Sequence, residues 1–260
     1  MSTLEIKNKN GIRWLILNRP EKMNALTVNS LAELGNALDV ANSDANVRCL
    51  IITGKGNAFC SGADVKEWAE AEAQGILETY GWTEAAHLAM SKLAMIQKPV
   101  IAMINGTALG AGLDLALCCD FRYACIEAKF KAGYTSMAYS PDAGSSWHLP
   151  RIIGLEQAKI FLFYDEVWSA QKALASGMIT DLFRTEDLNS KVEEFANTLS
   201  AGPTFAYGKI KTLLDSGLQN TFHTQLEYER KAGLLCGQTD DGKEAIKASI
   251  EKRKADFKGR

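Results

Sequence analysis

Five apolar residues, Val100 to Ile104, run into Asn105-Gly106-Thr107-Ala108-Leu109-Gly110-Ala111-Gly112, and that segment runs into an apolar helix-forming stretch at 113–117. A buried strand, a glycine-rich turn and a helix in immediate succession constrain this chain more than any other feature. Glycines permit a sharp turn and a close approach of strand to helix. The first N–H groups of a helix that opens there are unpaired and carry a partial positive charge. The rest of the chain repeats the alternation. Residues 4–7 and the set Ile12, Trp14, Ile16 alternate on either side of Asn10-Gly11, which predicts a hairpin. Leu31, Leu34 and Leu38 predict a helix, and 47–53 a buried strand bounded by Gly54 and Gly56. Phe59-Cys60-Ser61-Gly62 reads as a turn followed by a polar helical region. A helix over 84–97 carries Ala86, Ala89, Leu93 and Ile96 on one face and stops at Lys98-Pro99. A strand follows at 120–124. The expected class is therefore α/β. From Asp187 on, the pattern is helical, at 187–200, 203–216, 220–235 and 240–254. A boundary near Ala201-Gly202-Pro203 divides the chain into 1–200 and 201–260.

The glycine turn is not a nucleotide loop by its spacing. No Gly-Lys-Ser/Thr follows it, and Leu115 stands where the third glycine of a dinucleotide motif belongs. Two readings stand: a turn for close packing, or a cradle whose backbone N–H groups bind a substrate oxygen. A second such turn lies at Cys60-Ser61-Gly62-Ala63, and two donors from two turns make an oxyanion hole. Composition excludes other classes. With 29 basic against 31 acidic residues, the net charge of −2 offers no footprint for nucleic acid or an anionic membrane. Glu5, Lys7, Lys9 and Arg13 interrupt any signal-peptide centre, and no apolar run approaches the ~20 residues of a membrane span. A cytoplasmic location is expected. The six cysteines form no CxxC pair, and His87, His148 and His223 lie far apart, so reduced thiols rather than a metal site are expected.

Several segments together, in order, resemble the crotonase (enoyl-CoA hydratase/isomerase) superfamily over almost the whole chain. They are Leu17-Asn18-Arg19-Pro20-x3-Asn24-Ala25-Leu26, Phe59-Cys60-Ser61-Gly62-Ala63-Asp64, Lys98-Pro99-Val100-Ile101-Ala102, Asn105-Gly106-x-Ala108-x-Gly110-x-Gly112, Cys119-Asp120, Leu149-Pro150-Arg151-x-Ile153-Gly154 and Glu251-Lys252-Arg253-Lys254. The resemblance implies a spiral of ββα units and a C-terminal helical region that packs homotrimers, often paired into hexamers. It implies an acyl-CoA substrate, with CoA present only as part of the thioester and no metal or redox cofactor. The thioester C=O would be polarised by the backbone N–H groups of Ser61 and Ala111.

The acid/base residues select the reaction. The two glutamates of hydratases in this superfamily fall on Asp114 and Tyr134. A tyrosine with a pKa near ~10 is a poor base at neutral pH. Asp114 is either an acid/base group or a first-turn acid favoured by the helix dipole. Asp142, in Pro141-Asp142-Ala143-Gly144-Ser145-Ser146-Trp147, resembles the single base of the enoyl-CoA and ring-epoxide isomerase branch. Without the resemblance it reads as a turn residue capping the next helix. Asp142, Tyr134 and His87 also echo aroyl-CoA dehalogenases, where the aspartate is a nucleophile and a tryptophan stands in place of Tyr134. A catalytically silent CoA-binding scaffold is a third reading. The resemblance places CoA against Ala25, Ala63, Asp64 and Val65. Lys22 is either a phosphate contact or a solvated lysine. Lys252 matches a lysine supplied by a neighbouring subunit, while Ser249 stands where an aromatic residue is usual. Trp82, His87, Trp147 and Tyr80 either line the acyl pocket or pack structurally.

Overall fold

The computed structural model describes residues 2–76 and 79–260. Strands β1 (Leu4–Lys9) and β2 (Ile12–Leu17) form the expected hairpin, with Asn10 and Gly11 both left-handed in the two-residue turn. Helix α1 (Val28–Ser43) starts at Thr27, whose hydroxyl accepts from Ser30 N while Ser30 Oγ accepts from Thr27 N. Its stripe of Leu31, Leu34, Leu38 and Ala41 is buried, as helical spacing requires.

Three successive stretches then repeat one pattern. A longer strand joins one sheet, a three-residue strand joins a second sheet, and the chain moves on. The pairs are β3 (Cys49–Gly54) with β4 (Ala58–Cys60), β5 (Val100–Ile104) with β6 (Thr107–Leu109), and β7 (Phe121–Cys125) with β8 (Lys129–Lys131). Helices α2 (Val65–Ala73) and α3 (Trp82–Met95) follow the first pair, and α4 (Ala111–Leu117) follows the second. The result is a spiral of ββα units. The remaining elements are α5 (Ser145–Ile152), α6 (Leu155–Tyr164), β9 (Trp168–Ser169), α7 (Ala170–Ala175), β10 (Asp181–Phe183) and α8 to α11, at Thr185–Ser200, Thr204–Gly217, Phe222–Gln238 and Asp240–Ile250. The large sheet runs β1-β2-β3-β5-β7-β10 and the small one β4-β6-β8-β9. All pairs are parallel except β1–β2 and β8–β9. Strands β3 and β5 are buried at every residue, which is why they read as continuous apolar runs.

The small sheet departs from the sequence reading. Residues 58–60 and 107–109 read as parts of turns, yet they are strands that pair with each other, Ala58 with Thr107 and Cys60 with Ala108. Three residues between glycines are too short to show any alternation.

Several motif residues hold this frame together. Asn24, left-handed and 2% exposed, accepts from Arg19 N and donates to Lys55 O and Ala58 O. Asn105 donates to Gly54 O and Gly56 O and accepts from Thr53 Oγ1. Asp120 accepts from Val100 N and Lys211 Nζ. The buried Lys98 ammonium donates to Ala41 O in the last turn of α1 and to Asp44 O just past its end, and burial lowers its pKa to about 8. Asn24→Ala removes hydrogen bonds to three backbone groups, of which Ala58 O belongs to a buried residue. A loss on the order of 1–3 kcal/mol for each group left unpaired is expected. Urea unfolding checks this, and an unchanged midpoint would show that Asn24 does not hold the turn.

Candidate active site

The glycine-rich turn ends as the first residue of α4. Gly112 has no space for a side chain, because a Cβ there would sit 2.4 Å from Cys60 O and 2.7 Å from Cys60 Sγ. Gly62, at φ +90°, comes as close from the other turn, where a Cβ would lie 2.9 Å from Leu109 O and 3.3 Å from Ala111 N. The two turns are therefore nested backbone against backbone, and both border a cavity of about 450 Å³.

Ala111 is the first residue of α4, so its N–H has no partner within the helix. The second donor differs from the sequence reading. Ser61 N donates to Met23 O at 3.0 Å and is thus occupied. Leu26 N donates to Gly62 O and Asp64 N to Leu26 O, which leaves the Ala63 N–H between them without an acceptor among the described residues. Ala63, not Ser61, carries the free N–H of this turn. Sequence pattern located the turn but not which of its residues the neighbouring strand would occupy.

The carboxyl groups are sorted by burial. Asp114, one turn into α4, is fully buried and does not line the cavity. Its Oδ2 accepts from the Tyr134 hydroxyl, while Oδ1 makes no hydrogen bond among the described residues. Ser145 Oγ faces the same carboxyl, but the contact is too loose to count as a hydrogen bond and Oγ is unpaired too. Burial raises the Asp114 pKa to about 7, against the lowering effect of the Tyr134 hydroxyl. Tyr134 is held well above the usual phenol range, first by burial and then by the charges of Asp114 and Asp142. It is a neutral donor. Asp142 is half-buried and lines the cavity. Burial raises its pKa too, offset by the Tyr134 hydroxyl, its own backbone N–H and the charge of His87.

Asp64, Val65 and Trp82 reach the cavity along with Ala63 and Tyr134. Trp82 is braced by Nε1 donating to Leu26 O. Asp64 caps α2 through Lys66 N, and its carboxylate pairs with Arg19 at 2.8 Å. Burial pushes its pKa up, but the Arg19 hydrogen bond and charge bring it below the ordinary value. Ala25 is buried and does not line the cavity, and its C=O accepts from Arg19 Nη1. Lys22 and Lys252 are exposed and do not line the cavity.

Two expected pocket residues lie elsewhere. His87 contacts the Asp142 backbone, with Nε2 2.7 Å from its carbonyl, and lines an adjoining groove on the far side of that segment. Trp147 points away from the cavity, because Ser145 and Leu149 take the inward face of α5 and leave 147 on the outer one. The Arg151 guanidinium lies 4.0 Å from its ring centre. Trp68 and Tyr139 do line the cavity, with ring centres 4.7 Å apart. Neither was singled out from sequence. The available signal was an aromatic one turn beyond the Asp64 cap.

A pH dependence follows from Asp114. Its pKa is raised on folding, so between about pH 4 and pH 7 the folded state binds more protons than the unfolded state. This group's contribution to stability therefore falls as pH rises through that window, with a slope of up to ~1.4 kcal/mol per pH unit. Asp114→Asn is expected to flatten the slope relative to wild type in urea unfolding from pH 4 to 8. Parallel curves would show that Asp114 ionises at an ordinary pKa.

The chain matches the family model described as enoyl-CoA hydratase/isomerase over residues 7–260. It is 34% identical over 252 residues to the 1,2-epoxyphenylacetyl-CoA isomerase of Escherichia coli K12, covering 96% of each chain. It is also 34% identical to the crotonyl-CoA hydratase of Syntrophomonas wolfei, covering 97% of this chain and 96% of that one. A solved Pseudomonas aeruginosa structure is 51% identical, with a TM-score of 0.86, covering 88% of this chain and 98% of that one. With its spiral of ββα units and its nested turns, the chain belongs to the enoyl-CoA hydratase/isomerase family, the crotonase superfamily of acyl-CoA-processing enzymes.

Proposed function

We propose that this enzyme is an enoyl-CoA isomerase that moves a C=C bond along the acyl chain, with Asp142 as the single proton-transferring group. One observation carries this reading: of the acid/base trio, Asp142 is the carboxyl that lines the cavity, while Asp114 is sealed behind the Tyr134 hydroxyl. The thioester oxygen accepts from Ala63 N–H and Ala111 N–H. Asp142 removes a proton from the carbon between the thioester and the C=C bond. The C–H electron pair becomes part of a dienolate, with its charge on the oxygen held by the two donors. The protonated Asp142 then returns that proton to the far carbon, leaving the C=C bond conjugated with the thioester. The raised pKa of Asp142 suits both half-steps, since one group takes and gives the proton.

Hydration suits the site less well, because it needs two carboxyls around one water and Tyr134 occupies the second position. Dehalogenase-type attack by Asp142 would use His87 as base, but one ring nitrogen of His87 is already engaged on the Asp142 carbonyl. CoA is placed along Ala25, Ala63, Asp64 and Val65, with Lys22 near a phosphate and Lys252 supplied by a neighbouring subunit. Self-association as a homotrimer or a hexamer is supported by apolar side chains left in the open on the C-terminal helices, such as Leu214, Phe222 and Ile250, at 69%, 80% and 78% exposed.

With a 3-enoyl-CoA, ultraviolet absorbance is expected to rise as the double bond comes into conjugation, and Asp142→Asn to lower kcat by ~10²–10⁴-fold. No rise, with thioester binding intact, would overturn the isomerase assignment; halide release from an aryl-CoA would then indicate the nucleophilic role for Asp142. Light scattering on a sizing column is expected to give the mass of three or six copies. A monomer at micromolar concentration would overturn the assembly.

A further inference from the structure

Asp165 is buried, with its side chain 4% exposed, and lies beyond the end of α6 in the left-handed conformation at φ +51°. A carboxylate is costly to bury unless its oxygens are paired. Both are paired here, and both go to one short turn. Oδ1 accepts from Gly133 N at 2.6 Å and Oδ2 from Ser136 N at 2.9 Å. These two N–H groups flank Tyr134. Thr135 Oγ1 adds a third tie, donating to Leu162 O in α6 at 2.6 Å. Lys131 Nζ stands 3.7 Å from Oδ2. Burial pushes the Asp165 pKa up, but the Ser136 and Gly133 hydrogen bonds and the Lys131 charge bring it below the ordinary value, so it stays ionised.

We propose that Asp165 is a positioning residue for the active site: its carboxylate clamps the 133–136 turn and so holds the Tyr134 hydroxyl on Asp114, beside Asp142. Charge-assisted hydrogen bonds from backbone N–H groups are stronger than neutral ones and fix direction as well as distance. The phenol they aim shields Asp114 from the cavity and leaves Asp142 as the one of the two that faces it. Asp165 touches neither the cavity nor any reacting atom, and acts only through Tyr134.

Two variants separate the carboxylate from the backbone conformation. Asparagine and glycine both tolerate the left-handed region. Asp165→Asn keeps one acceptor oxygen and presents an amide to the other N–H; Asp165→Gly removes both acceptors. The kinetic consequence rests on the isomerase reading, so the first readout is independent of turnover. It is the titration of the Asp114 carboxyl by ¹³C NMR, assigned by its loss in Asp114→Asn. Because the Tyr134 hydroxyl lowers the Asp114 pKa, Tyr134→Phe is expected to move the midpoint upward from about 7, and both Asp165 variants to move it the same way. In turnover of a 3-enoyl-CoA, the variants are expected to lose ~10²-fold in kcat, as for a misplaced active-site group, with KM little changed. A titration unmoved in the Asp165 variants, even with a lowered melting temperature, would make Asp165 merely structural and overturn the proposal. So would a titration that Tyr134→Phe itself leaves unmoved. A wild type that binds acyl-CoA without turning it over would defeat the isomerase reading alone, and the NMR result would still decide the role of Asp165.

Discussion

The site depends on the contact between the turns at 60–64 and 109–112, where Gly62 and Gly112 let the two backbones approach closely. Gly112 would place a Cβ 2.4 Å from Cys60 O, so any larger residue there must push α4 away from β4. Overpacking of this kind typically costs ~1–3 kcal/mol. The functional cost comes from direction rather than stability. The Ala63 and Ala111 N–H groups lie on different turns, and each is unpaired only because of how its turn is held. Ala63 is spared because Leu26 pairs with the residues on either side of it, and Ala111 because it opens a helix. Two donors without acceptors among the described residues, on adjoining walls of one cavity, are what nested turns produce.

Burial then distinguishes acids of identical chemistry. Asp114 and Asp142 are both raised by desolvation, but only Asp142 faces the cavity. Tyr134 separates them. Its phenol cannot ionise between two carboxyls in a poorly hydrated place, so it serves as a fixed donor. A second charge close to Asp142 would raise the cost of ionising it, and the full burial that raises the Asp114 pKa limits that charge. The division of roles is one of depth: one acid behind the wall, one in it.

The elements legible in the sequence were those with enough length to show a period. The hairpin, the apolar stripe of α1, the fully buried β5 and the long C-terminal helices all carry that signal. The small sheet did not, because its strands are two or three residues long and exist only through partners far along the chain, as Ala58 does through Thr107. At the site, the residue types and the turns were readable, but not which donor a neighbour would consume. Ser61 and Ala63 are two residues apart in the same turn, and only the Met23 carbonyl tells them apart. Trp147 was misplaced for a similar reason. A helix of eight residues has two faces, and the small Ser145 rather than the large tryptophan took the inner one. Asp165 had no local signal at all, since its partners lie about thirty residues earlier and both are backbone groups.

The residues that make the family resemblance strong are mostly those that hold the frame. Asn24, Lys98, Asn105 and Asp120 each bond backbone groups of other segments, Asn105 and Asp120 also taking a side-chain donor, and none of them lines the cavity. A frame of this kind fixes the nested turns, and so fixes the donors that the proposed thioester polarisation uses, whichever of isomerisation, hydration or hydrolytic displacement follows. What distinguishes those reactions is the group that meets the activated substrate. In the proposed reaction that group is Asp142, at the end of a segment from Gly133 that bonds Asp165 at one end and His87 at the other. This is why relatives of equal identity carry the names of an isomerase and a hydratase. Identity is averaged over a frame they share, whereas the chemistry turns on which carboxyl a short loop leaves facing the cavity.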